Sequence, residues 1–67
     1  MSRKRFGAVI KKLREQRGMS QRDLAERVNV SGAYIAMLET GKLNNPSLAT
    51  LKRLAKALRV PVTELLK

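Results

Sequence analysis

Residues 20–42 read SQRDLAERVNVSGAYIAMLETGK, and the spacing of apolar and capping residues in this stretch decides the fold. Ser20 precedes an apolar-periodic run and Asp23 follows three positions later, so a hydroxyl caps a helix end while a carboxylate answers it. In the helix that starts there, Leu24, Ala25 and Val28 share one face, and Gln21, Arg22, Glu26 and Arg27 take the remaining surface. Asn29 is, after glycine, the residue that most readily adopts the left-handed conformation ending a helix, and Ser31 is another good N-cap. Ile35 and Leu38 give the second helix its inward stripe, and Gly41 supplies its C-terminal stop. Two short amphipathic helices joined by a turn this tight form a helix-turn-helix, over about residues 20–41.

The flanking sequence supplies support for that pair. Phe6, Val9, Ile10 and Leu13 recur at i, i+3, i+4 and i+7, and Gly18 closes the run after the basic end Arg14 to Arg17. Arg3, Lys4 and Arg5 precede this helix as a basic N-terminal arm, about residues 1–5, free to touch a polyanion or simply to be solvated. After Gly41, a loop ends at Ser47, a third N-cap, and Leu48, Leu51, Leu54, Ala55 and Leu58 mark a fourth helix whose other face carries Lys52, Arg53 and Lys56. Arg59 stands where a glycine would end that helix more easily, which predicts a frayed or slightly strained terminus. Pro61 then opens a short turn with Val62, Leu65 and Leu66 on one side, either capping the core or open to a second subunit. The fold class expected is all-α, a compact bundle of five helices in which residues 1–67 make one domain.

Composition agrees and narrows the function classes. A chain of 67 residues is marginal, because only about 60% of its unfolded surface leaves water on folding, so every helix must contribute to the core. With Phe6 and Tyr34 the only aromatics, that core is aliphatic. There are no cysteines and no histidines, which excludes disulfides, thiolate chemistry and the usual zinc constellations. Catalysis would then need carboxylate pairs, a Ser-Lys pair or a metal, and the five acids show no ligand spacing; the chain reads as a binding protein, not an enzyme, with no cofactor. No stretch approaches a membrane span, and the basic start never reaches an uninterrupted apolar core of a signal peptide. Fifteen Lys and Arg against five Asp and Glu, a net charge of +10, cannot all be paired. Beside a helix-turn-helix, that surplus points to phosphates.

At these residues the chain resembles a known family. Gln21 opening the first helix of the pair, Ala25 facing its partner, Ile35 and Leu38 in the core and the run Leu38-Glu39-Thr40-Gly41-Lys42 are similar to the lambda-repressor-like (Cro-like, XRE-type) helix-turn-helix family. The likeness continues through Arg14, the loop ending Asn45-Pro46-Ser47, the run LKRLAKAL and the terminal VPVTELL, covering about Phe6 to Leu66. It implies sequence-specific binding of double-stranded DNA by a transcriptional regulator, a repressor ahead of an activator, with residues 31–40 as the recognition helix in the major groove. Ser31, Gly32, Ala33, Tyr34 and Met37 are then the candidate base contacts. Ser20, Gln21, Arg22, Lys42, Asn44 and Asn45 are the candidate phosphate contacts, Gln21 also buttressing the reading helix. The resemblance further implies an internal Arg14–Glu39 ion pair that ties the first helix to the recognition helix.

One departure stands out: Gly32, Ala33 and Met37 lie where hydrogen-bonding side chains are common in relatives, and none can make a bidentate bond, although Ala33 and Met37 can touch a thymine methyl. The partners expected are double-stranded DNA and a second copy of the chain, through Val62, Leu65 and Leu66 or on DNA only, with no membrane and no small-molecule ligand. The setting expected is the cytoplasm, in a bacterium or for a phage protein. The rival reading is an antitoxin-like or adaptor protein whose main role is protein–protein interaction; an isolated or engineered DNA-binding domain is also open.

Overall fold

Serine hydroxyls start three of the helices. Oγ of Ser20, Ser31 and Ser47 accepts from the backbone N–H of Asp23, Tyr34 and Thr50 at 3.0, 3.0 and 3.1 Å respectively, satisfying donors that the first turn leaves unpaired. At Ser20 the exchange is reciprocal, its own N–H donating to Asp23 Oδ2 at 2.9 Å, so the capping box read from the sequence is formed. The computed structural model describes residues 3–43 and 45–66. Across them the chain folds into α1 (Arg3–Gln16), α2 (Gln21–Val28), α3 (Gly32–Thr40), α4 (Leu48–Leu58) and α5 (Val62–Leu65), an all-α arrangement in which α2 and α3 form the helix-turn-helix.

Helix ends follow the residues placed there. Asn29 and Arg59 both sit in the left-handed region, at φ 64° and 60°, beside Gly18 at 68° and Gly41 at 85°. The α4 terminus is nonetheless intact: the N–H groups of Arg59 and Val60 bond the carbonyls of Lys56 and Ala55 at 3.2 and 3.0 Å. A further donor comes from α1's end, where Arg17 Nε reaches the Leu58 carbonyl at 2.9 Å and so offsets the unpaired acceptors of the last turn. The strain expected at Arg59 is therefore present as a positive φ, but the end does not fray.

Phe6, Ile10, Leu24, Val28, Ile35, Leu38, Leu54, Leu58 and Leu65 are all essentially sealed from solvent, with Met19, Ala25 and Ala55 completing the core. All five helices contribute to it, as a chain of this size requires. Three expectations need correction. The basic triplet is not an arm, because α1 begins at Arg3; Arg and Lys are good helix formers and extend the apolar-periodic helix backwards by a turn. Leu48 is 62% exposed rather than inward, because it is the first residue of α4 and precedes the turns that reach the core. Leu65, left between the core and a second-subunit surface, is 1% exposed and belongs to the core, so it is no dimer contact; Val62 packs partly against the core, and Leu66, at 46%, is open.

The α1–α3 contact depends on a glycine. A Cβ built at Gly7 would sit 2.5 Å from the Glu39 carbonyl oxygen and 2.8 Å from its carbonyl carbon, and would press on the Leu38 carbonyl as well. Backbone cannot yield as a side-chain tip can, so only glycine lets α1 lie directly against the last turn of α3.

Candidate nucleic-acid interface

Position α3 first. Its inward side is anchored by Ile35 and Leu38 in the core, and its C-terminal end is tied to α1 by ionic hydrogen bonds. Arg14 Nε donates to Glu39 Oε2 at 2.7 Å and Nη2 to Oε1 at 3.1 Å, the bidentate geometry that a guanidinium allows and an ammonium does not. Arg14 Nη1 turns to the Met19 carbonyl at 2.8 Å, so one side chain joins α1, the α1–α2 link and α3. The pair is enclosed, its side chains 10% and 3% exposed for Arg14 and Glu39. The hydrogen bond with Glu39 raises the pKa of Arg14 above its ordinary value against the opposing effect of burial, so the guanidinium stays charged.

Gln21 completes this lock. Its Nε2 donates to Glu39 Oε1 at 3.0 Å, so the first residue of α2 holds α3 from a second direction. The buttressing role expected of Gln21 is thus explicit, and the half-buried amide is oriented by it. Glu39 accepts three hydrogen bonds from within the fold. Its charge is compensated locally.

Around this frame the remaining candidates take different positions. Ser20 and Arg22 are exposed at the start of α2, Arg22 lying 3.5 Å from Glu26 one turn on. Lys42 and Asn45 are exposed in the loop after α3, while Asn44 lies outside the described residues. Leu43 anchors that loop, packing on the core and donating its N–H to the Met37 carbonyl at 3.1 Å. On α3, Ser31 and Ala33 are exposed, Gly32 is half-buried, and a Cβ added at Gly32 would meet nothing within 4 Å. Met37, at 36% exposed, shares the Ala33 face one turn later. Tyr34 is half-buried and packs partly against the core.

Sequence reasoning missed the Gln21–Glu39 bond, the Gly7 contact, the Arg17 clamp and Met19 as a core residue. Gly7 carried a usable signal, since a glycine inside an apolar-periodic helix next to Phe6 calls for a packing reason.

A short helix carrying capping residues, locked end-on to α1 and braced by α2, with small and apolar residues outward, is a helix-turn-helix unit set to present one face of α3. Residues 10–65 match the helix-turn-helix family, and the chain belongs to it, in its lambda-repressor-like, XRE-type branch. It is 43% identical over 56 residues to the HTH-type transcriptional repressor RghR of Bacillus subtilis, covering 84% of this chain and 42% of that protein. The Immunity repressor protein of Bacillus phage phi105 is 42% identical over 57 residues, or 85% of this chain and 39% of the repressor. The chain thus spans less than half the length of these curated relatives. Among solved structures, SinR, the master regulator for biofilm formation, in complex with DNA, superposes with a TM-score of 0.88 at 34% identity over 92% of this chain and 98% of that one. The N-terminal DNA binding domain of SinR from Bacillus subtilis gives 0.86, also at 34% identity, over 92% and 90%.

Proposed function

We propose that this chain is a sequence-specific double-stranded DNA-binding domain of a transcriptional regulator, a repressor ahead of an activator, acting by binding rather than catalysis in the cytoplasm of a bacterium or on behalf of a phage. The likeness over nearly its whole length to SinR in complex with DNA carries this reading. The electrostatics support it: Glu39 is held by Arg14 and Gln21, Asp23 by Ser20, and Glu26 lies near Arg22, while Lys42, Lys52, Arg53 and Lys56 are exposed cations. Residues 31–40 enter the major groove, with Ser31, Gly32, Ala33, Tyr34 and Met37 towards base edges. Ser20, Gln21, Arg22, Lys42, Asn44 and Asn45 meet the flanking phosphates.

The test is salt dependence on a labelled duplex. Each phosphate neutralised contributes roughly −0.9 to the slope of log affinity against log salt, so five contacts weaken binding by about 500-fold between 50 and 200 mM. An affinity for duplex DNA that stays flat over that range sinks the reading.

A domain of this size reads few base pairs, so two copies act on half-sites about 34 Å apart. The exposed Leu66 and the half-buried Val62 on α5 are the surface proposed for that contact, Leu65 being excluded by its burial. Sedimentation with and without a palindromic duplex distinguishes a dimer formed in solution from one formed only on DNA.

A further inference from the structure

Helix α3 is apolar almost all the way round in a chain of net charge +10, which its packing does not require. Ile35 and Leu38 account for the buried side. Outside them lie Gly32, Ala33, Ala36 and Met37, and no Lys, Arg, Asn or Gln occurs among its nine residues. Of its three polar side chains Tyr34 is half-buried against the core, and the other two are engaged within the fold. Glu39 is bonded to Arg14 and Gln21, and Thr40 Oγ1 donates back to the Met37 carbonyl at 3.3 Å.

Bidentate reading of guanine or adenine needs an Arg, Lys, Asn or Gln at the base edge, and this helix offers none. What it offers instead is a contiguous apolar strip, Ala33 and Met37 one turn apart and both exposed, beside an open backbone at Gly32. The one apolar group on the major-groove edges of the bases is the C5-methyl of thymine. The exposed cations Arg22 and Lys42 at the neighbouring helix and loop favour a polyanion as the occupant over an apolar protein surface.

Resting on the reading of this domain as a DNA binder, we infer that α3 selects its site by pyrimidine C5-methyl groups, packed against Ala33 and Met37, and not by hydrogen bonds to purines. 5-Methylcytosine carries its methyl at the same place in the groove as thymine. Such a face therefore binds a methylated cytosine more tightly than an unmethylated one, and the affinity of the protein for a site depends on that methylation.

The experiment selects sites from a random duplex pool, then resynthesises the preferred duplex with uracil for thymine at one position at a time. Burying one methyl corresponds to about a fourfold change in affinity, so one or two positions should lose about fourfold each on its removal. At those positions cytosine should bind as poorly as uracil, and 5-methylcytosine should recover most of the loss. Met37→Ala, at an exposed position that leaves the core intact, should bind uracil and thymine nearly alike at the position that Met37 covers.

Equal binding of uracil and thymine duplexes at every position overturns the inference while leaving DNA binding in place. Failure of any sequence to be enriched, with salt-sensitive binding retained, does the same. Absence of binding to every duplex removes the underlying reading as well, and self-association through α3 without DNA assigns the strip to a second copy instead.

Discussion

The inward and outward sides of α3 belong to one nine-residue helix and face opposite constraints. Inward, nearly every group has a neighbour that dictates it: Ile35 and Leu38 are sealed, Glu39 accepts from Arg14 and Gln21, and the backbone at Leu38 and Glu39 admits only a glycine opposite. Outward, Ala33 and Met37 are exposed, and a side chain added at Gly32 would meet nothing. Aim and content are therefore separable in this helix. The core and the Arg14–Glu39–Gln21 lock set where α3 points, whereas the outward residues can change without cost to the fold.

The strongest way to break that contrast is to remove the acid of the lock. Glu39→Ala leaves the Arg14 guanidinium enclosed without its counter-charge, a loss of about 3 kcal/mol. For a domain of this length that is a large share of total stability. Urea unfolding should show the midpoint falling sharply, and replacement of both partners by apolar residues of similar volume should restore much of it. Unfolding of Glu39→Ala at the wild-type midpoint removes the lock from the account of how α3 is aimed.

The same substitution on the two sides sharpens the contrast further. Gly7→Ala forces a methyl against the carbonyls of Leu38 and Glu39 and should cost about 1–3 kcal/mol, with α1 displaced from α3. Gly32→Ala meets open space and should leave stability within about 0.5 kcal/mol of wild type, with any gain coming from alanine's better helix propensity. Thermal melting of the two variants side by side decides it. Equal destabilisation would mean that the outward side is structurally constrained after all.

Legibility in the sequence follows the range of the interaction. The serine caps, the left-handed Asn29 and the glycine stop at Gly41 obey rules that act within a few residues, so the helices of the central pair were readable to within a residue or so. The Arg14–Glu39 pair spans 25 residues and was reached only through the family resemblance. Gln21 was assigned a bracing role in the same way, but its acceptor was not identifiable. Arg17 read only as part of the basic end of α1, because its partner is a backbone carbonyl 41 residues away and a carbonyl leaves no trace in sequence. The two readings of Leu65 stayed open for a related reason. Periodicity puts Val62, Leu65 and Leu66 on one side of a short turn, but which of them meets the core depends on how α5 docks on its neighbours. For the outward residues of α3, the sequence showed what they are, and the structure adds that the fold leaves them unconstrained.

The smallest effect belongs to the start of α2, and it titrates. The carboxyl of Asp23 is held below the usual carboxylate range, chiefly by the hydrogen bond from the Ser20 backbone N–H, then by the Ser20 side chain, with Arg27 and Arg22 adding to it. A carboxyl whose pKa is depressed on folding contributes stability that is fully present above its unfolded value, and that contribution is lost as pH falls through the folded value. Asp23→Asn removes the titration. Its stability at neutral pH should be slightly lower than wild type, and the gap should close as acid protonates the wild-type carboxylate. Because Asp23 is exposed and bonds only at the N-terminus of α2, the change should leave the orientation of α3, and hence DNA affinity near neutral pH, almost untouched. Unfolding midpoints measured from neutral pH down through the carboxylate range provide the check: a gap between the two proteins that stays constant with pH would show that the capping carboxylate does not act through its charge.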